Sequence, residues 1–484
     1  MTMLSFNGFL YGFSCVSCLL CGGLVLLERR RSRAKRAFGS SFGAQNEQFR
    51  AFRRQFLAGY LPCLFAESLQ APYLYYLYQS YGFLEGQIAV LYVAGFLTNV
   101  VFSLLVVRAV QRLDRRLLCL LFVGLNSLSC LLKLSRNYAL LLGSRLADGL
   151  ASALLSAPFH EWCVHEHVVR HDFPKEWLSS TFQQVAVLAG GLSVGAGYVA
   201  ELSEAHFQLP AVPFLLAIPC LLLGGAWIYG VWDSNRAETP TTTAPRFVAQ
   251  YKRATKVIFK DPNVFLLATV QSLFESCLCM FVFLWTPLFL YLKPAEGRLS
   301  LGIVYASFMS SALCGTLSQR LLRRKMAAAQ LLTLSVSVAF VSMALAVSLL
   351  YPAAGVGPPR SEAAFRVLLC VFCTFELAVG LYFGALQRLQ RQLLPSQDGP
   401  AILGVFRLPL NGIAVAGLLV LHGRENKEYG NWVVLVLSTV LLLFCLVGAL
   451  ALQALLGASR PPRPDADHFV LAPPNEDDDD DEGA

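Results

Sequence analysis

The sequence predicts an all-α, polytopic membrane protein, and three observations carry that reading. Hydrophobic residues make up 56% of the 484 positions and charged residues only 14%, whereas soluble domains run at about 45–50% apolar and about 25% charged. Mean hydropathy is +0.55. The apolar residues gather in stretches of about 20, the length at which a helix crosses a hydrocarbon layer of roughly 30 Å. The alternating ten-residue segments of a membrane barrel are not seen, and a helix pairs its own backbone groups in lipid, so a helical bundle is expected.

Taken in order, residues 4–27 are apolar and run into the basic stretch ERRRSRAKR at 28–36. A secretory signal would start with a basic region, which is missing here, so the segment is expected to be an extra transmembrane helix with its N-terminus outside. Twelve core spans are predicted at 56–78, 87–107, 117–134, 138–159, 179–200, 211–231, 263–290, 300–321, 327–350, 364–386, 401–421 and 431–456. Basic residues collect on alternate connections: Arg50, Arg53 and Arg54; Arg112, Arg115 and Arg116; Arg170 and Lys175; Lys252, Arg253, Lys256 and Lys260; Arg323, Arg324 and Lys325; Arg388 and Arg391. Those connections are expected in the cytoplasm, as is the C-terminus. The net charge of +8 therefore reads as membrane orientation, with the lipid bilayer as the partner and no nucleic acid. The expected organisation is an extra helix and basic loop (1–55), a six-helix half (56–231), a cytoplasmic middle loop (232–262), a second six-helix half (263–456) and a disordered acidic cytoplasmic tail (457–484).

The two halves echo each other. LFAESLQAPYLYYLYQ at 64–79 has its counterpart in LFESCLCMFVFLWTP at 273–287, with Glu275 in the place of Glu67 and Pro287 later in its helix, as Pro72 is in the first. The fourth core helix reads Arg145 followed by LADGL and the tenth Glu376 followed by LAVGL; Phe182 and Gln183 open the fifth as Phe406 and Arg407 open the eleventh. A buried carboxylate recurring in both halves suggests a transporter built by duplication.

Two six-helix halves with a long middle loop resemble the major facilitator superfamily. Within it, QAPYLYYLYQSYGFLEGQIAVLYV (70–93), HEHVVRHDFPKEW (165–177), LFESCLCMFVFLWTP (273–287) and FRLPL (406–410) closely resemble the molybdate-anion transporter subfamily. The resemblance implies a major-facilitator-type bundle and uptake of molybdate, a tetrahedral oxyanion, across the plasma membrane. It also implies that the first, fourth, seventh and tenth core helices line one cavity, which would gather Glu67, Arg145, Glu275 and Glu376. The superfamily's loop signature after the second core helix is incomplete: its positions hold Val107, Gln111, Asp114, Arg115 and Arg116, so only the basic pair stands in place. Arg115 and Arg116 are the expected gating residues, and Asp114 is the candidate substitute for the usual acid.

An ionisable side chain at mid-membrane costs roughly 2.5–3.5 kcal/mol on insertion scales and so faces a partner or a polar path. Arg145 and Arg407 are the candidates to bind the anion, because a guanidinium offers a planar fork of donors to oxyanion oxygens. The plainer alternatives are pairing of Arg145 with Asp148 and snorkelling of Arg407 to the surface. Gln70, three residues from Glu67, and Gln271, four from Glu275, share a face with those acids and join the candidate substrate-binding set. Glu67, Glu275 and Glu376 are the candidate coupling or gating groups. A dianion moving into a negative cell needs a driving ion, and a proton carried on one of these carboxylates would supply it.

Other motifs carry less. His160, Glu161, His165, His167 and His171 miss the H-E-x-x-H spacing of zinc hydrolases by one position and are expected in a cytoplasmic amphipathic connection at the membrane surface. Most of the fourteen cysteines, among them Cys15, Cys18, Cys21, Cys277, Cys279, Cys370 and Cys373, lie in apolar segments and read as small buried hydrophobes. No metal site, cofactor or enzymatic motif is expected. The leading reading is a secondary carrier for molybdate; the alternatives are a carrier for another small anion such as sulfate and a non-transporting receptor or scaffold.

Overall fold

The computed structural model describes residues 2–37, 47–236, 247–293, 298–351, 361–395, 399–422 and 427–458. The predicted acidic tail beyond residue 458 lies outside the described residues. Among the described residues sixteen α-helices follow in order: α1 (Thr2–Ala37), α2 (Glu47–Gln70), α3 (Leu74–Ser80), α4 (Glu85–Arg112), α5 (Arg115–Leu132), α6 (Tyr138–Ser156), α7 (Pro158–His165), α8 (Lys175–Phe207), α9 (Val212–Val231), α10 (Phe247–Lys260), α11 (Pro262–Leu292), α12 (Leu301–Leu322), α13 (Ala328–Leu349), α14 (Glu362–Leu393), α15 (Gly399–His422) and α16 (Lys427–Ala458). No strand occurs among the described residues.

The sequence sets several helix starts directly. Asp114, Asn137, Asp261 and Ser361 each turn a side-chain oxygen to a backbone N–H of the first turn that follows, the contact an N-cap provides. Twelve helical segments are long and apolar enough to cross a membrane, the first of them Gly8–Glu28. Helix α2 is not among them, because it carries Glu47, Arg50, Arg53, Arg54 and Glu67. It nonetheless packs along α8 and α9 and, continued by α3, takes the place of the first core span.

The result is two six-helix halves, α2/α3 to α9 and α11 to α16, with α1 as an additional helix. Across the halves α8 packs on α12 and α4 on α15. Helix α1 lies at the first of these seams: it packs along α12, its Ser14 hydroxyl is 2.7 Å from that of Tyr198 on α8, and Glu28 pairs with Arg320 of α12 at 3.0 Å. Aromatic side chains fill both interiors. Trp162 and Trp232 stack at 3.8 Å in the first half, as do Phe274 and Tyr382 in the second.

Several expectations change at this level. Pro72 sits in a one-turn 3₁₀ segment, Ala71–Tyr73, that separates α2 from α3, so the span is interrupted before the tyrosine run as well as ending after it at Ser80. Pro287 lies inside the continuous α11, where Trp285, Thr286, Leu288 and Phe289 are buried on all sides of it; a proline missing its N–H is held in a helix when packing supplies what the hydrogen bond does not. Residues 158–170 keep one face open, with His160, Val169 and Arg170 exposed, and pack the other inward. They continue α6 as α7 and a π turn, with Glu166 3% and His167 0% exposed, because Phe49, Phe52 and Phe173 pack against His167. The middle connection holds a helix of its own, α10, whose Ala254 and Ile258 are buried with Val264, Ala401, Ile402 and Phe406. Among the cysteines, Cys15 and Cys370 are exposed on the outer surface of the bundle, where a thiol suits lipid as well as a core.

Candidate functional site

A cavity of about 440 Å³ lies between the halves. Glu67, Gln70 and Ala71 reach it from the end of α2, Tyr92, Gly95 and Asn99 from α4, and Arg145, Asp148 and Gly149 from α6. Glu275, Cys279 and Val282 of α11 and Arg407 of α15 form the opposite wall, and Lys133 enters from the end of α5.

Arg145 is held by the packing of α4 on α6. Small residues let these helices approach: a Cβ at Gly149 would stand 2.5 Å from the Gly95 carbonyl oxygen, and one at Gly95 would stand 2.7 Å from Arg145 Nη2. The guanidinium therefore lies in the space a side chain at 95 would fill. It donates from Nε to the Leu91 carbonyl at 3.3 Å and from Nη1 to Asp148 Oδ2 at 2.7 Å, and it sits 5.1 Å from the centre of the Tyr92 ring. Arg145 is 8% exposed, and the pairing with Asp148 that the sequence offered as an alternative is present together with the cavity position.

Lys133 is the residue that sequence reasoning missed. It is 2% exposed, its ammonium donating to Gln70 Oε1 at 2.9 Å and to Asp148 Oδ1 at 3.0 Å, with the Phe214 ring 5.3 Å away. It lies one residue inside the end of the predicted span 117–134. Its signal was periodicity: Asn126, Ser129 and Lys133 recur at spacings of three and four on one face of an otherwise apolar helix. That face joins the two acids of the first half. Asn126 Nδ2 donates to Glu67 Oε1, Gln70 Nε2 donates to Asn126 Oδ1 at 3.0 Å, and Ser129 Oγ donates to Asp148 Oδ1. Glu67, Asn126, Gln70, Lys133, Asp148 and Arg145 thus form one continuous polar chain.

In the second half Ser272 Oγ donates to the Phe406 carbonyl at 3.0 Å, tying α11 to α15 one residue from Arg407. Arg407 and Glu275 consequently line the same wall, within electrostatic reach of each other.

The remaining candidates lie elsewhere. Gln271 is buried and not in the cavity lining, but it hydrogen-bonds the cavity acid Glu275 and accepts from Gln390 Nε2 at 2.9 Å. Glu376 is 5% exposed in α14, within electrostatic reach of Tyr305 of α12, and is not among the residues lining the cavity. Arg115 donates to Asn235 Oδ1 and Arg116 to the Tyr229 carbonyl, while Asp114 accepts from Ser234 Oγ at 2.8 Å and from the Asn235 N–H at 2.9 Å. These contacts tie the start of α5 to the end of α9 and to the connection that follows it. His160 stacks on Phe182 at 4.5 Å, and among the described residues no group of three metal-ligating side chains is found.

A cross-half latch stands on the opposite face from Arg115. Arg298 pairs with Glu201 at 3.0 Å and with Glu204, both on α8, and Tyr73 donates to Glu201 Oε2 at 2.7 Å. The N–H of Gly302 donates to the same carboxylate at 3.1 Å. Between latch and cavity, Phe283 of α11 meets Tyr75 at 5.4 Å and Tyr92 at 5.2 Å, both edge to face. Neither Arg298 nor this aromatic contact stood out in the sequence, since each depends on a partner from the other half.

Comparison with known proteins places this architecture. A family model described as "Sugar-transporters, 12 TM" matches residues 7–372. A molybdate-anion transporter of Takifugu rubripes is 38% identical over 438 residues, 86% of this chain and 88% of that protein, and one of Xenopus laevis is 39% identical over 393 residues, 80% and 83%. Among solved structures, a point mutant of the nucleoside transporter NupG superposes with a TM-score of 0.66 at 10% identity, over 83% of this chain and 99% of its own. A D-xylose–proton symporter does so with a TM-score of 0.62 at 13% identity, over 83% and 97%. These structures share the fold alone. With its two six-helix halves, its match to the family model and its identity to these relatives over most of its length, this multi-pass membrane protein belongs to the molybdate-anion transporter family of the major facilitator superfamily.

Proposed function

We propose that the protein is a secondary carrier that imports molybdate across the plasma membrane by alternating access, the first half (56–231) rocking against the second (263–456) around the central cavity. The observation that carries this reading is the pair Lys133 and Arg145, two buried cations on the wall of a cavity closed by both halves. Lys133, Arg145 and Arg407 line the cavity beside the carboxylates of Glu67, Asp148 and Glu275, and it is the ammonium and guanidinium donors that suit an oxyanion better than a neutral sugar. The relatives' names supply the particular anion.

By the distribution of lysine and arginine, the Arg115 face is cytoplasmic and the Arg298 face external. The latch of Arg298 on Glu201 and Glu204 then closes the outer side, and its release is part of opening. Each negative charge moving inward against ~100 mV is opposed by roughly 2.3 kcal/mol, so a dianion needs accompanying protons. Glu67 and Glu275, the two cavity carboxylates outside the Lys133–Asp148–Arg145 cluster, are the groups to carry them. Glu376, away from the cavity, is not assigned to this step.

The test is uptake of labelled molybdate into cells with and without the protein, sulfate being the competitor. Uptake that rises with surface expression, falls on replacing Arg145 by Gln and resists excess sulfate is expected. Equal uptake in both cell lines would end the proposal.

A further inference from the structure

Within the cavity, one carboxylate already sits where an oxyanion would be expected to go. Asp148 stands between the two buried cations of the first half, with Oδ2 2.7 Å from Arg145 Nη1 and 2.9 Å from Lys133 Nζ. Its Oδ1 is 3.0 Å from the same ammonium and also accepts from Ser129 Oγ. It lines the cavity and has 16% of its side-chain surface open, against 2% for Lys133. Two cations therefore share one negative charge at the cavity wall. The next acid, Glu67, reaches them only through the amides of Asn126 and Gln70.

Physical chemistry gives this arrangement a purpose. Two uncompensated cations inside a membrane protein would be expensive, since buried charge is stable only when paired. They would also hold a dianion too firmly, and a transported ion must bind strongly enough to enter yet weakly enough to leave. One acid shared by two bases meets both demands.

We propose that Asp148 is a resident counter-anion: it keeps Lys133 and Arg145 charged and in place in the empty carrier, and the arriving oxyanion takes over these cations from it. Asp148 is then the residue that limits affinity and drives release, its charge repelling the anion it has made room for. The other charged or ionisable groups facing the exchange are Glu67 of α2, Tyr78 of α3, Tyr92 of α4, Cys130 of α5 and, across the cavity, Glu275 and Arg407. This inference rests on the reading of the cavity as an oxyanion site.

The experiment is isothermal titration of purified full-length protein with molybdate, comparing wild type with Asp148→Asn. The amide keeps the shape and removes the charge. Loss of a unit charge close to a dianion, in surroundings of effective dielectric near 20, is expected to tighten binding by at least about tenfold. A merely structural role for Asp148 predicts the opposite sign. Should Asp148→Asn not yield monodisperse protein, Asp148→Ala decides in its place: added formate fills the vacated position and weakens molybdate binding in that variant, leaving wild type unaffected. Binding by the deciding variant that contradicts its expectation, while wild type binds molybdate normally, overturns the role of Asp148 alone. Absence of molybdate binding by wild type overturns the oxyanion reading and this inference with it.

Discussion

Replacing Lys133 by methionine removes a charge and keeps an unbranched stem of similar length, so the packing against Phe214 is retained while the ammonium is lost. The fold is expected to survive, because Asp148 keeps Arg145 at 2.7 Å and the hydroxyl of Ser129. Gln70 loses the donor to its Oε1 but keeps its own contact with Asn126 at 3.0 Å. What disappears is one charge-assisted hydrogen bond to the anion, about 1.5–3 kcal/mol. At 1.4 kcal/mol per decade, that is a loss of affinity of roughly 10- to 150-fold. The assay is initial-rate uptake of labelled molybdate over a range of concentrations, normalised to surface-biotinylated protein. Lys133→Arg, which keeps the charge in a different shape, should recover part of the loss. A Lys133→Met carrier at wild-type surface level with KM within twofold of the parent would refute the assignment of this residue to the anion.

Three further outcomes are expected. Gly95→Ala pushes a methyl into the space of the Arg145 guanidinium, 2.7 Å from Nη2, so uptake should fall by about tenfold at unchanged charge with a stability loss of about 1–3 kcal/mol; normal KM would mean the guanidinium does not need that position. Arg298→Ala leaves the buried Glu201 and Glu204 without their cation, which favours the state with the latch open. Labelling of the cavity residue Cys279 by an impermeant thiol reagent from outside, read by mass spectrometry, should then rise several-fold, and unchanged labelling would remove Arg298 from the gate. Glu67→Gln is expected to make uptake indifferent to an imposed pH gradient while exchange of labelled for unlabelled molybdate continues; a gradient response equal to wild type would pass the proton to Glu275 alone.

The class of fold, the number of core helices and five of the cavity residues are readable from the amino-acid sequence. Apolar length and loop charge are local quantities, and a membrane penalises any departure from them. Glu67, Gln70, Arg145, Glu275 and Arg407 were legible for the same reason: a polar group at mid-span must face something polar, and the cavity is what these five share. Tertiary structure alone decided the rest. The family's helix plan placed Glu376 at the cavity, but position along a helix does not fix which way the helix is turned. Glu376 is buried in α14 outside the cavity lining, whereas Gln271 bonds Glu275 as its spacing predicts and accepts from Gln390 as well. Lys133 gains its place only from the packing of α5 on α6, which brings it to Asp148. The same holds for Arg298 with Glu201 and for Phe283 with Tyr75, pairs far apart in the chain and joined across the two halves. Distance along the membrane normal is written in hydropathy, whereas the direction a side chain faces is set by the neighbours that pack against its helix.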